Sequence, residues 1–202
     1  IIAKYTEPEL ADIRMESYTE NDHTFIIVHL PEETLCFNER VAKEFGLKAA
    51  WFYLKSGITG DTNYTGINNV FDSRVGRWTC GDKKEIRLGL LDSTTFAQYD
   101  TRSEWVLYSP FLKLDGASID EIEIETLPGT SVIDDDATVA LSLTRDGLSY
   151  GAEWFQLYGH ALDYNQRFII RRLGHTPNWT GLKFRGATKS KMAFALMRIT
   201  YG

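Results

Sequence analysis

Apolar residues along this chain recur mostly at every second position, which is the spacing of β-strands with one buried face. In residues 121–125 isoleucine alternates with glutamate, and in residues 139–144 valine and leucine alternate with small residues. Residues 24–30 instead form an almost continuous apolar run that Pro31 stops, as expected of a strand buried on both faces. The pattern therefore predicts an all-β fold of antiparallel strands.

Short strands separated by turns are predicted throughout residues 1–94. The apolar run described above and residues 35–37 form a hairpin, and residues 70–71 and 77–80 form another pair of strands. Gly76, in the turn between the last two, can take a positive φ. This rhythm is typical of propeller blades or of a meandering sheet, so we assign residues 1–94 to a β-propeller-like fragment.

The predicted strands become longer after residue 95, and their number, roughly seven, suits an antiparallel sandwich of two sheets. The Asp146-Gly147 pair marks a tight turn between two of these strands. We place the boundary between the two parts near residues 92–98 and assign residues 95–202 to a β-sandwich domain.

One short helix is predicted near the N-terminus. The sequence Thr6-Glu7-Pro8-Glu9 has the spacing of a capping box with an early proline, which is a typical helix start. We expect the helix to cover residues 7–16, with Leu10 and Ile13 on its buried side.

Charge is distributed unevenly along the chain, whose net charge is −6. Residues 160–202 contain eight basic residues and only Asp163 as an acidic one, so this segment carries +7 and leaves −13 for residues 1–159. Such a segment can bind nucleic acid, but we favour charge complementarity between strands of the same chain. The basic residues are Arg167, Arg171, Arg172, Lys183, Arg185, Lys189, Lys191 and Arg198.

Several classes of function find no support in the sequence. No apolar run is long enough to span a membrane, and Cys36 and Cys80 are too few for a disulfide framework, so we expect free thiols. The four histidines are dispersed, and no GxxxxGK[ST] phosphate loop is present. We predict a protein that is not an enzyme and needs no cofactor. A polysaccharide lyase or glycosidase stays open only if the fold assembles an acid and a base in one groove.

Two acidic clusters have simple structural interpretations. Glu121, Glu123 and Glu125 lie on one strand face and do not oppose each other across a substrate, as the carboxyls of a glycoside hydrolase do, so we expect a solvated face. Asp134-Asp135-Asp136 offers oxygens to a calcium ion but lacks a spaced ligand loop, so we expect a solvated loop.

Five tryptophans leave a binding function open. Aromatic rings on a β-sandwich can form a platform for sugars, although most tryptophans of β proteins pack in the interior. A carbohydrate-binding module is therefore the alternative to a structural role, and it requires a concave, exposed tryptophan platform. The tryptophans are Trp51, Trp78, Trp105, Trp154 and Trp179.

A succession of short strings across nearly the whole chain resembles a known family. The strings are FIIVHLP at residues 25–31, TCGDK at 79–83, QYD at 98–100, LYSPFLK at 107–113, LSLTRDGLSYG at 141–151, RRLG at 171–174 and GLKFR at 181–185. Their order and spacing resemble the C-terminal part of the packaged-DNA stabilisation protein of short-tailed bacteriophages.

This resemblance implies a structural protein of the virion tail, a tail accessory factor that serves as hub or nozzle and is assembled in the cytoplasm of the bacterial host. Such a protein plugs or extends the portal channel, stabilises the packaged DNA and links tail components for DNA ejection. The implied partners are the portal or adaptor ring above, the tail needle or tailspikes, further copies in a homohexamer, and double-stranded DNA passing through the lumen. No membrane span is implied.

The implied fold is a β-propeller, of which residues 1–94 resemble the last blades, followed by a β-sandwich. Because the chain opens at Ile1 without an initiator methionine, we expect a fragment of a longer protein with exposed strand edges. The alternative remains a carbohydrate-binding β-sandwich module of a tail or secreted protein. In a ring, basic C-terminal strands are candidates for subunit or neighbour contacts. These candidates are Arg171, Arg172, Lys183, Arg185, Lys189 and Lys191.

Overall fold

The computed structural model describes residues 2–57, 62–133 and 135–202. The chain divides into two compact units, Ile1–Thr94 and Thr95–Gly202, called here the N-terminal and C-terminal units. Antiparallel strands dominate both units, so the predicted all-β fold is confirmed. No helix within the described ranges is long and apolar enough to cross a membrane.

The first part of the N-terminal unit is an antiparallel sheet of five strands that follow one another in chain order. The predicted hairpin of residues 24–30 and 35–37 is confirmed, because β2 and β3 pair from Phe25 opposite Asn38 to His29 opposite Thr34. Its elements are α1 (Glu7–Ala11), β1 (Arg14–Glu20), β2 (His23–His29), β3 (Thr34–Asn38), α2 (Glu39–Phe45), β4 (Trp51–Ser56) and β5 (Thr62–Asn63), with 3-10 turns at Ile2–Lys4 and Leu47–Ala50.

The first helix is shorter than predicted. Its capping box is present at Thr6 and Glu9, but the helix ends at Ala11 and buries none of its side chains. The prediction that it continues to residue 16 is wrong, because β1 begins at Arg14 and pairs with β2 along its whole length. Cross-strand pairing thus overrides the weak local preference for helix.

The second helix was not predicted, although its signals are present in the sequence. Asn38 caps it by accepting a hydrogen bond from the Val41 backbone N–H at 3.2 Å. Arg40 pairs with Glu44 one turn later, and Gly46 follows the helix at a φ of 88°.

The second part of the N-terminal unit is a three-stranded antiparallel sheet of β6 (Gly66–Asp72), β7 (Arg77–Asp82) and β8 (Leu88–Leu91). Gly76 turns the chain between β6 and β7 at a φ of 67°, as predicted. The register of β6 against β7 shifts between Ile67 and Val70, where Asn68 has a φ of 57°. Within the described residues, neither sheet of this unit closes on itself.

The C-terminal unit is a sandwich of two antiparallel sheets. One sheet has the strand order β14, β13, β16, β10, β9, with β11 also beside β16, and the other has the order β15, β12, β17. The strands are β9 (Ala97–Gln98), β10 (Thr101–Tyr108), β11 (Leu112–Lys113), β12 (Ser118–Thr126), β13 (Thr138–Thr144), β14 (Trp154–Leu157), β15 (Phe168–His175), β16 (Trp179–Thr188) and β17 (Phe194–Tyr201).

One apolar core fills the space between these sheets. The alternation in the sequence places Ile122 and Ile124 of β12 and Val139 and Leu141 of β13 on the facing sides, all of them buried. The core also contains Leu114, Ile119, Ala137, Tyr158, Phe168, Ile170, Leu173, Leu182 and Phe184. The alternate positions of β12, which point away from this core, carry Glu121, Glu123 and Glu125.

Candidate interaction surfaces of the C-terminal unit

The six predicted contact residues do not gather into one basic patch. Arg171 and Arg172 lie on β15, whereas Lys183 and Arg185 lie on β16, which belongs to the other sheet. Residues 189–191 lie in the connection between β16 and β17.

Arg185 is engaged inside its own unit. Its Nε and Nη2 atoms each lie 2.6 Å from a carboxylate oxygen of Glu153, and its Nη1 lies 3.2 Å from Glu104. The hydrogen bonds from Arg185 lower the pKa of Glu153. The bidentate contact with Glu153 is a strong form of ion pair, and together with the contact to Glu104 it fixes the Arg185 side chain of β16.

Arg171 belongs to a ladder of ion pairs on the outer face of the three-stranded sheet. The glutamates of β12 form the middle row of this ladder, with an arginine of β15 and an arginine just before that strand on one side and an arginine of β17 on the other. The predicted charge complementarity within the chain is therefore confirmed for these strands. The pairs are Glu121 with Arg171 at 2.7 Å, Glu123 with Arg167 Nε at 2.7 Å and Glu125 with Arg198 at 2.9 Å.

The remaining candidates are held less firmly. Lys189 contacts the carboxylate of Asp100 at 2.7 Å, and the Lys183 ammonium lies 5.3 Å from the ring centre of Tyr150. Arg172 and Lys191 are exposed and form no ion pair within the described parts of the chain. Arg172 has a φ of 60° at the point where the register of β15 against β12 shifts, so a bulge presents it to solvent.

The acidic loop departs from expectation. Asp134 lies outside the described residues and Asp136 is exposed, but Asp135 is buried, so the prediction of a solvated loop is wrong for that residue. The Asp135 carboxylate accepts hydrogen bonds from the hydroxyls of Thr188 and Ser190 and from the Lys189 backbone N–H. No group of ligands that suits a metal ion occurs among the residues that the structure describes.

The environment of Asp135 explains how a carboxylate is kept charged there. Burial by itself raises its pKa, but the hydrogen bonds from Ser190, Thr188 and Lys189 outweigh burial and lower the pKa below the ordinary value. Arg102 also lies 2.9 Å from its second oxygen. The sequence shows three adjacent aspartates but not which one turns inward, because that depends on the contact with the end of β16.

An apolar groove lies along the side of the sandwich between β10 and β17. It consists of two adjoining cavities of about 250 and 480 Å³ that share Trp105, Leu107 and Phe194. The sequence signal for this groove is residues 194–197, a run of four apolar residues in a strand where the other positions alternate. Sequence reasoning did not find it.

The five tryptophans are divided between the two units of the chain. Trp51 and Trp78 belong to the N-terminal unit, and the other three belong to the C-terminal unit. The Trp78 indole donates a hydrogen bond to the Thr19 carbonyl at 2.9 Å, and the ring of Trp105 packs against Phe194. Trp179, on β16, is 45% exposed.

A polar cavity of about 410 Å³ lies at one end of the sandwich and includes Trp154, Arg145, Asp146, Ser149 and His175. Residues 147–151 fit the GxSxG pattern, but they connect two strands rather than a strand and a helix, as a nucleophile elbow requires. The Ser149 hydroxyl donates to Asp146 at 2.8 Å, and no described histidine bonds to it. Asp146 also accepts the backbone N–H groups of residues 148 and 149, so this cluster builds a turn.

The N-terminal unit has two open antiparallel sheets, and the C-terminal unit is a sandwich with its own core. This order of parts is that of all-β proteins in which propeller-type sheets precede a β-sandwich. Family models identify the same two parts in the same order: residues 1–96 match Bacteriophage P22 Gp10, beta-propeller, and residues 104–202 match Bacteriophage P22 Gp10, beta-sandwich. The chain belongs to the Bacteriophage P22 Gp10 family, which confirms the resemblance found in the sequence.

A curated relative is the tail hub protein gp10 of Salmonella phage P22. It is 31% identical to this chain over 195 residues, which cover 96% of this chain and 40% of the relative. The chain therefore spans less than half of the length of that relative.

Proposed function

We propose that this protein is a structural component of the tail of a short-tailed bacteriophage and does not act as an enzyme. The observation that carries the proposal is the pair of consecutive family matches, which cover both units in order. The relative that matches nearly the whole chain is a tail hub protein, and a hub acts by binding its neighbours. The ion-paired surface of the C-terminal unit is compatible with this role.

At finer detail, we propose that copies of the chain form a homohexameric ring below the portal or adaptor ring. This ring extends or plugs the portal channel, stabilises the packaged DNA and contacts the tail needle or tailspikes. Residues 1–159 carry a net charge of −13. An acidic wall supports passage of DNA, because it offers few cations to neutralise phosphates.

We further propose that basic residues of the C-terminal unit contact neighbouring subunits or tail proteins. Arg172 and Lys191 are the strongest candidates, because their charges are exposed and not used in ion pairs within the described residues. Lys183 and Lys189 come next. Arg171 and Arg185 contribute through the shape that their ion pairs give to the surface.

Reconstitution tests the proposal. Phage particles that lack this component are incubated with the purified chain, and binding is followed by co-sedimentation, ring formation by electron microscopy and DNA retention by nuclease protection. We expect specific binding, a closed ring and retained DNA. A chain that binds neither portal-containing particles nor other tail proteins would overturn the tail assignment, whereas binding without a six-fold ring would overturn only the hexamer.

Charge-reversal variants distinguish an effect of the proposed contact residues from an effect of the net charge of the chain. We expect Arg172→Glu with Lys191→Glu to weaken binding to the particles at least about tenfold, since several charge-assisted contacts are lost. Lys48→Glu with Lys84→Glu changes the net charge equally at exposed positions of the N-terminal unit and serves as the control. A second double variant, Lys189→Glu with Lys191→Glu, tests the connection between β16 and β17. If this variant leaves tail assembly unchanged, the contact proposal fails.

The polar cavity beside Trp154 supports a second candidate, carbohydrate binding. It combines an aromatic ring with Arg145, Asp146 and His175, the kind of mixed surface that holds a sugar. Saturable binding on a glycan array that Trp154→Ala abolishes and Trp179→Ala retains would favour this function. No glycan binding would remove it.

A further inference from the structure

A chain of three charged or titratable side chains joins the two sheets of the N-terminal unit. His29 ends β2 and is buried, with 6% of its surface exposed. Its Nδ1 lies 2.9 Å from the Nζ of Lys83, which follows β7, and its Nε2 lies 3.2 Å from Oε1 of Glu16 on β1. The side chains of Lys83, His29 and Glu16 are called the latch.

Glu16 connects the latch to the irregular part of β6. Its two carboxylate oxygens accept hydrogen bonds from the backbone N–H groups of Asn68 and Asn69, at 2.8 and 2.7 Å. These residues lie at the register shift of β6, where the N–H groups have no regular partner on β7. The latch therefore holds β1 and β2 of one sheet against β6 and the end of β7 in the other.

The contacts define the protonation state of His29. A lysine ammonium has three donors and no acceptor, so the Nδ1 of His29 must accept the hydrogen bond from Lys83 and cannot carry a proton. The imidazole is then neutral, with its proton on Nε2 beside Glu16. A second hydrogen bond from Lys83 to the Tyr64 carbonyl, at 3.2 Å, fixes the ammonium in place.

We propose that the latch is an acid-sensitive connection between the two sheets of the N-terminal unit. When His29 takes up a proton at Nδ1, the acceptor for Lys83 is lost and two cations face each other at hydrogen-bonding distance. The ammonium of Lys83 then moves away from His29, while the protonated imidazole keeps its contact with Glu16. The turn after β7 separates from β2, and the link through Glu16 to β6 remains.

The surrounding charges determine the direction of the response. Burial lowers the pKa of His29 below 6.5, Lys83 and Arg14 lower it further, and Glu16 opposes them. The pKa of Lys83 is lowered as well, chiefly by burial. Because the folded pKa of His29 is lower than the unfolded one, the latch contributes its full stability above about pH 6.5 and loses it as the pH falls towards the folded value.

The test is a titration of the His29 imidazole by NMR in the full chain. Removal of the ammonium by Lys83→Met is expected to raise the pKa of His29, since one of the two cations that lower this pKa is lost while Glu16 still favours the proton. Lys84→Met, at the adjacent exposed position, is the matched control and is expected to leave that pKa unchanged. An unchanged pKa in Lys83→Met would overturn the proposal.

A second measurement does not depend on the folding of that variant. The Lys83 backbone N–H donates to the Thr65 carbonyl at 2.8 Å, so its hydrogen exchange reports how far the turn loosens when the Lys83 side chain leaves His29. As the pH falls from the unfolded towards the folded pKa of His29, the exchange rate, corrected for the intrinsic rate, is expected to increase up to about tenfold for each pH unit. His29→Asn, which keeps an acceptor but does not titrate, should abolish this dependence, and a wild-type protection that is constant from pH 7.5 to 5 would contradict the latch.

Discussion

The two units of this chain are stabilised by different means. The C-terminal unit places a continuous apolar core between two sheets, whereas the N-terminal unit buries as many polar as apolar side chains among its described residues. Exposed apolar side chains do not distinguish the units, because both have them: Trp51, Phe52 and Tyr53 of β4 in the N-terminal unit and Val106, Leu107 and Tyr108 of β10 in the C-terminal unit.

This difference in the size of the apolar core depends on whether the sheets of a unit cover each other. A sandwich covers the inner face of each sheet with the other, so its alternating strands bury one side completely. Propeller-type sheets bury their faces and edges by radial repetition, so an open pair of them encloses a smaller apolar core. We therefore expect burial to dominate the stability of the C-terminal unit and specific polar links to dominate that of the N-terminal unit.

The largest effect is expected in the sandwich core. Phe168→Ala removes a side chain with no exposed surface and should lower the free energy of unfolding of the C-terminal unit by about 3–5 kcal/mol. Denaturant unfolding combined with hydrogen exchange measures this loss unit by unit. Phe155→Ala, at a position that is 66% exposed, is the control, and equal effects at both sites would contradict a single dominant core.

Asp135→Asn tests the buried carboxylate that binds the end of β16 in the same unit. The loss of charge-assisted hydrogen bonds should cost about 3 kcal/mol near neutral pH. Because the folded pKa of Asp135 is lowered, the wild type keeps this stability above about pH 3.8 and loses it as the pH falls through the folded value. The difference between variant and wild type should therefore shrink below pH 3.8, and Asp136→Asn should show neither effect.

A polar link in the N-terminal unit should give a smaller loss. Trp78→Phe keeps the ring but removes the indole hydrogen bond to the Thr19 carbonyl, which joins β7 to β1, at a cost of about 1 kcal/mol. Thermal unfolding of the N-terminal unit measures the change. Trp51→Phe, at a site that is 48% exposed, should be neutral, and a neutral Trp78→Phe would show that this link does not stabilise the unit.

The smallest effect is expected from the ladder of ion pairs. A double-mutant cycle with Glu125→Gln and Arg198→Gln should give a coupling of about 0.2–1 kcal/mol, because both side chains are largely exposed. The coupling should fall as salt is added. A coupling that is larger at high salt would rule out an ionic origin.

The sequence predicts the strands well where one face is buried, as in residues 121–125 and 139–144, because alternation records burial directly. It predicts the start of the first helix but not its end, which strand pairing at Arg14 decides. The charge complementarity of β12 and its neighbours was predictable, but the partners were not, since the register selects them. Asp135 and the latch depend on contacts between distant segments and carry no local signal.

The ladder and the other ion pairs determine how strongly the C-terminal unit would attract a DNA molecule. Of the eight basic residues of the last segment, five have a carboxylate partner, and Arg172, Lys183 and Lys191 have none among the residues that the structure describes. Non-specific affinity for DNA would then fall with salt with a logarithmic slope of about 3 rather than the roughly 7 that eight free cations give. Binding to such a surface would release few counterions from DNA, so a DNA molecule that passed it would adhere only weakly.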